Sequence, residues 1–228
     1  MQLVDWSPRE RPEIAELDGQ YVRLERLSLT KHARDLFETC ATSSEIERAK
    51  FLRVENGHTF DGFSNWIQTC ESNQQDEFYA VVDKSTEKAV GMQAFLRIDE
   101  ANGSVEIGWV HWSAHMARSP KSTEAFFLMA SYVFDQLGYR RFEWKCDSLN
   151  LPSCRAAERF GMQFEGVFRN HMVRYGANRD TAWFSLIDRE WPATKRAFAA
   201  WFDPENFDKN GRQKVKLTEL INQERDRT

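Results

Sequence analysis

The chain's 228 residues are 41% hydrophobic, enough to bury one core in a single domain with terminal extensions. Lys plus Arg total 31 against 35 for Asp plus Glu, a net charge of −4, and no Lys/Arg-rich run forms a phosphate-tracking surface, which argues against nucleic acid as a direct partner. The opening residues are too charged for a signal peptide, no apolar run approaches a membrane span, and Cys40, Cys70, Cys146 and Cys154 lack CxxC spacing; the expectation is a soluble cytoplasmic protein with reduced thiols and no membrane partner.

Residues 1–18 hold Pro8, Pro12 and many charges and read as a surface arm pinned by Trp6. Residues 21–27 (YVRLERL) alternate apolar and charged side chains after the Asp18-Gly19 turn, as a half-exposed strand does. Thr30 caps a helical pattern through Ala33, Leu36, Phe37 and Cys40, and Asp61 caps another with Phe63, Trp66, Ile67 and Cys70 on one face. Residues 78–82 and 89–98 form a hairpin that continues past Asn102-Gly103 into a strand at 104–112 (SVEIGWVHW), making an antiparallel meander.

Ser119-Pro120 then supplies a cap and a first-turn proline for a helix in which Phe126, Met129, Ala130, Val133 and Leu137 form the buried stripe and Gly138 the stop. The start of such a helix has unpaired N–H groups and the positive end of the dipole, so it can hold an anion. Residues 140–147 alternate again, and strand, crossover helix and strand imply a parallel pair. Asn150 caps the next helix, with Pro152 in its first turn and Ala156, Ala157 and Phe160 before Gly161. Residues 162–173 and 180–187 make a last hairpin around a turn at 176–179. From Glu190 the pattern is helical, and beyond Asp203-Pro204 a charged tail with LTELI as its only apolar patch is expected to be ordered only in part.

The order of elements over residues 20–187 resembles the GNAT acetyltransferases. EIGWV at 106–110, TEA at 123–125 and NLPSCRAAERFGMQFEG at 150–166 resemble in particular the branch containing the RimJ/RimL ribosomal-protein N-acetyltransferases. The resemblance implies an α/β (α+β) GNAT fold: a mixed, mostly antiparallel central sheet of about seven strands, flanked by helices and splayed between strands 4 and 5. It implies an N-terminal arm at 1–18, an acetyltransferase domain at 19–189, and a C-terminal helix and charged tail at 190–228. It also implies acetyl-CoA as co-substrate, no metal, and an amine acceptor, either a protein N-terminal α-amine or a small molecule, handled by a monomer or homodimer.

Two positions depart from that family's pattern. Ala117, Pro120 and Ser122 stand where a Q/R-x-x-G-x-G/A pyrophosphate loop is usual, so the Ser119 cap, backbone donors at Lys121, Ser122 and Thr123, and the charge of Arg118 or Lys121 are the expected substitutes. Ala157 replaces a tyrosine that protonates the leaving thiolate in many members, so another acid or water must serve.

Acetyl transfer to an amine needs a neutral amine, a site for the developing oxyanion and a proton for the thiolate. Glu106 is the first candidate for the base, directly or through a water, with an ion pair on the sheet as its structural alternative; His111 is the second candidate. Backbone N–H groups near Val110 and His111 would bind the thioester oxygen if the strand bulges or splays there, the 110–112 edge ending at Trp112 would pair with pantetheine, and Asn150 would hold the chain from the other side. Ser153 is a donor to the thiolate or the CoA chain, or serves only the helix start. Glu143, Lys145 and Asp147 alternate along a strand that should be central, so they contact substrate in a polar cleft or form a surface salt-bridge ladder. Cys146 and Cys154 read as small buried hydrophobes. The rival functions are a noncatalytic acyl-CoA-binding or interaction module, and a phosphate-binding α/β protein unrelated to acetyl transfer.

Overall fold

The computed structural model describes residues 6–52, 54, 57–117, 119–174 and 176–227. One sheet of eight strands organises the chain, in the order β1-β2-β3-β4-β5-β6-β8-β7. Its members are β1 Glu16–Asp18, β2 Val22–Arg26, β3 Glu77–Asp83, β4 Lys88–Asp99, β5 Ser104–Trp112, β6 Arg141–Asp147, β7 Gln163–Arg174 and β8 Ala177–Ile187. Every neighbouring pair is antiparallel except β5 and β6, which are parallel across the crossover. The eighth strand is β1, inside the expected arm, where Leu17 pairs with Leu24. Three residues are too few for alternation to register in a sequence.

Helices α1 Leu29–Cys40, α2 Ser43–Arg48 and α3 Phe60–Glu71 precede the meander. Helices α4 Pro120–Ser131 and α5 Leu151–Arg159 flank β6, and α6 Trp191–Phe202 and α7 Leu217–Arg225 close the chain. The sheet separates two apolar layers. On one face α1 and α3 bury Ala33, Leu36, Phe63 and Ile67 against Phe78, Met92 and Leu96. On the other, α4, α5 and α6 pack onto Val105, Ile107, Phe142, Trp144 and Phe184. Phe126 of α4 stacks on Phe160 at 4.3 Å between ring centroids and on Phe198 at 6.0 Å, so three helices meet at one aromatic column.

The cap at Ser119 and the proline at the first position of α4 are as expected, but the helix widens into a π turn at Tyr132–Gln136 before Gly138, whose φ of +66° ends it. Glu124 of the TEA stretch is buried and accepts N–H bonds from Gln20, Tyr21 and Val22 at 2.6–2.7 Å, tying the start of α4 to the start of β2. The last hairpin turns earlier than expected, since residues 177–179 already belong to β8.

The tail also departs from expectation, because it is folded. Leu217 and Ile221 lie one turn apart on α7 and are buried in the main core. Asn206, itself buried, donates to the carbonyls of Trp201 and Val215 at 3.2 Å and accepts from the Val215 N–H at 2.9 Å, which pins the 203–216 segment. At the other end Trp6 donates to the Ala101 carbonyl at 3.0 Å, so the arm is held where expected. No helix among the described residues is long and apolar enough to cross a membrane.

Candidate active site

The parallel pairing of β5 and β6 runs from Ser104 opposite Arg141 to Ile107 opposite Trp144 and stops there. Immediately beyond, β5 bulges. Trp109 takes a φ of +48°, and the register against β4 moves from Gly108 opposite Ala94 to His111 opposite Met92. Gly108 permits the close approach, because a Cβ there would sit 2.2 Å from Leu96 Cδ1. Opposite the bulge the buried Gln93 accepts from Trp112 Nε1 at 2.9 Å and donates to the Ala125 carbonyl at 2.9 Å, fixing β5 to α4. The splay opens a cleft of about 800 Å³ that runs from one face of the sheet to the other.

Several sequence candidates meet in that cleft: Val110, His111 and Trp112 from β5, Lys145 and Asp147 from β6, Asn150 and Ser153 at α5, and Ser119 and Ser122 at α4. Asn150 Oδ1 caps α5 through the Ser153 N–H at 3.3 Å. Trp144 Nε1 donates to Ser153 Oγ at 2.9 Å. Indole is a donor only, so the serine proton is left to be donated, to Cys146 beside it or to a group arriving in the cleft. His111 is buried, and neither ring nitrogen has a hydrogen-bond partner among the described residues. Burial pushes its pKa down to about 4, which keeps the imidazole neutral at pH 7.

Glu106, Lys121, Thr123 and Glu143 are not part of the cleft wall. Lys121 Nζ is drawn away to Asp83 on β3. Thr123 is fully buried and its hydroxyl accepts from Arg159 Nη1 at 2.9 Å. Glu106 is buried behind Lys145, with Oε2 at 2.9 Å from Lys145 Nζ and 2.6 Å from Arg97 Nη1. Burial pushes its carboxyl up from the ordinary value, against the pull of the two cations. Lys145 also pairs with Glu143 at 2.6 Å and lies over the Trp183 ring at 3.8 Å. Of the two alternatives for Glu143, Lys145 and Asp147, the surface ladder gives way to a buried cluster in which Lys145 and Asp147 reach the cleft. Arg118 lies outside the described residues. Of the first donors of α4, Pro120 has none and the Lys121 N–H is taken by Ser119 Oγ at 3.3 Å. Ala157 is fully buried in the core and offers no acid.

The sequence reading missed three groups of cleft residues. Arg159 enters from α5, and burial alone lowers its pKa from the ordinary value. Among the described residues its polar partner is the Thr123 hydroxyl and its other neighbours are the Phe160 and Trp201 rings, so no carboxylate offsets it. The signal for it was present: Arg159 follows Ala156 at i+3 and shares its face. From the far end, Phe207, Arg212 and Gln213 wall the cleft, with Gln213 Oε1 accepting from Trp201 Nε1 at 2.7 Å. On the opposite face of the sheet, Glu45, Arg48, Arg174 and Arg179 line the other mouth.

A family model described as an acetyltransferase (GNAT) domain matches residues 22–163. The chain belongs to the GNAT acetyltransferase family. Among solved GNAT structures, a GCN5-related N-acetyltransferase from Brucella melitensis is 48% identical, with a TM-score of 0.92 over 96% of this chain and 99% of that one. The uncharacterized N-acetyltransferase p20 of Bacillus licheniformis is 28% identical over 175 residues, 73% of this chain and 96% of p20. The microcin C7 self-immunity acetyltransferase MccE, solved in complex with acetyl-CoA and AMP, shares the fold at 21% identity and a TM-score of 0.64 over 74% of this chain and 93% of that one. The GNAT fold and acetyltransferase class expected from the sequence are borne out, and an unrelated phosphate-binding protein is set aside. The GNAT match ends at residue 163, whereas the 203–216 segment that walls the cleft lies beyond it.

Proposed function

We propose that the chain transfers the acetyl group of acetyl-CoA directly to a primary amine held in the cleft between β5 and β6. One observation carries this reading: the two strands separate after Ile107 and Trp144, and the bulge at Trp109 turns the 110–112 edge toward an open channel. Pantetheine pairs with that edge and is held from the other side by the Asn150 amide. The acetyl-CoA complex of MccE supports the same donor in this fold. The CoA phosphates lie against Ser122 at the start of α4 and against Arg159, whose charge compensates for the missing glycines of the loop.

A backbone N–H at Val110 or His111 takes the developing oxyanion. The amine arrives from the α1 and α3 face, where the neutral ring of His111 offers an unpartnered nitrogen. Glu106, its affinity for a proton raised by burial, accepts the amine proton through a water. Ser153 donates to the departing thiolate in place of the absent tyrosine. A covalent acyl-cysteine route is disfavoured, because burial pushes the Cys146 thiol up to about 12 and leaves negligible thiolate at pH 7.

The acceptor is a protein N-terminal α-amine, as the RimJ/RimL-like stretch at 150–166 suggests, or a small-molecule amine. Thiol release from acetyl-CoA with a panel of amines and N-terminal peptides tests the reading. Turnover on any of them supports it. Tight acetyl-CoA binding with no thiol release on every acceptor supports the noncatalytic module instead.

A further inference from the structure

We propose that the acceptor carries an anionic group, carboxylate or phosphate, near its amine, and that Arg179 binds it. This rests on the acetyltransferase reading above and adds the acceptor's chemistry to it.

Four cationic side chains line the cleft mouth on the acceptor's face: Arg48, Lys145, Arg174 and Arg179. Arg48 is matched by Glu45 at 3.2 Å, and Lys145 by Glu106 and Glu143. Arg174 donates to the Phe51 carbonyl at 2.8 Å and the Leu52 carbonyl at 3.4 Å. Arg179 differs from all three. Among the described residues its Nη1 reaches only the thioether of Met172, at 3.7 Å, and its Nε is buried with no hydrogen-bond partner. A guanidinium stays protonated in proteins, so the fold holds a charge and an orphan donor partly out of water. Burial, and then the like charge of Arg174, disfavour its charged form and outweigh the attraction of Asp147, Cys146 and Glu106.

The position of Arg179 on the sheet decides which substrate it serves. Asp147 of β6 is the register partner of Thr181 on β8, and Arg179 lies two residues from Thr181. Strand alternation therefore sets Arg179 on the face of Asp147 and Lys145. Arg159 and Ser122 lie on the opposite face, with α4 and α5. Arg159 and Arg179 thus stand on opposite sides of the splay, one placed for the donor's phosphates and one for the acceptor. The planar fork of arginine matches carboxylate and phosphate oxygens two at a time. Asp147 spends Oδ1 on the Leu149 N–H at 2.9 Å and keeps its second oxygen for an ammonium. Side by side, Asp147 and Arg179 suit a molecule bearing both charges.

Matched acceptor pairs test this: β-alanine against β-alaninamide, 2-aminoethyl phosphate against ethanolamine, and peptide amides beginning Asp against Asn. The expected result is a kcat/KM at least tenfold higher for the acid than for its neutral counterpart in one or more pairs. Arg179→Gln should collapse that ratio by raising KM for the acid, with KM for acetyl-CoA unchanged, and Arg179→Lys should restore part of it. The carboxylate and phosphate pairs identify the anion. Equal use of acids and neutral amines by the wild type, or a ratio that survives in a folded Arg179→Gln protein, overturns the inference while leaving acetyl transfer intact. Absence of turnover on every amine overturns the acetyltransferase reading and this one with it.

Discussion

Lys145 Nζ lies 2.9 Å from Glu106 Oε2, and of the two residues only Lys145 reaches the cleft. The candidate base is thus screened from the acceptor by a cation. Its proton traffic passes around Lys145 through a water, and burial raises its affinity for that proton. Glu106→Gln should lower kcat by roughly 10²-fold with little change in acetyl-CoA affinity. The same change should remove an acid limb of the kcat/KM profile lying above the ordinary carboxylate range. Wild-type turnover in the variant would take Glu106 out of the reaction.

His111 makes the native state sensitive to acid. Its pKa is about 4 when folded against the ordinary 6.5. Between those values the unfolded chain binds a proton that the native chain does not, so stability falls as pH drops from 6.5 toward 4. The loss amounts to about 3 kcal/mol at the low end of the window. Urea midpoints at pH 7 and pH 5 should separate in the wild type and converge in His111→Phe. Equal separation in both proteins would mean that the ring is not held neutral by burial.

At the other mouth, Arg159→Gln should raise the acetyl-CoA dissociation constant by roughly 10- to 100-fold, the range for one charge-assisted contact to phosphate. Ser122→Asp should act in the same direction, placing negative charge at the start of α4. Calorimetric titration reads both. If neither variant weakens binding, the phosphates lie elsewhere.

The path to these residues shows what a sequence carries and what it hides. Alternation at 104–112 and 140–147, the Ser119-Pro120 start and the Asn150 cap all rest on local periodicity, and the parallel pair and its flanking helices follow from them. A bulge near Val110 and His111 enters the sequence reading only as a condition of the oxyanion site, because the positive φ falls on Trp109, a residue type that marks no turn. That the Lys121 side chain is held by Asp83 is hidden in the sequence, because the two are distant along the chain and adjacent only across the folded sheet. Leu217 and Ile221 looked too sparse to order the tail, yet one turn of α7 and the buried Asn206 suffice. Arg159 and Arg179 read as ordinary charges, since an absent counter-ion can be recognised only in three dimensions.

Ser153 is predicted to matter to chemistry more than to binding. Ser153→Ala removes the hydroxyl that accepts from Trp144 and donates onward. It should lower kcat by roughly 10- to 100-fold through poorer protonation of the thiolate. The orphaned indole N–H should cost stability of about 1 kcal/mol. Pre-steady-state thiol release compared with a thermal melt separates the two effects. A full-rate variant would assign the proton to water.

A crystal structure of the protein with acetyl-CoA tests the central claim most directly. The thioester should lie in the gap beyond Ile107 and Trp144, its carbonyl oxygen within hydrogen-bond distance of the Val110 or His111 N–H and its phosphates against Ser122 and Arg159. Acetyl-CoA bound outside that gap, or a gap that stays closed to it, would contradict the account.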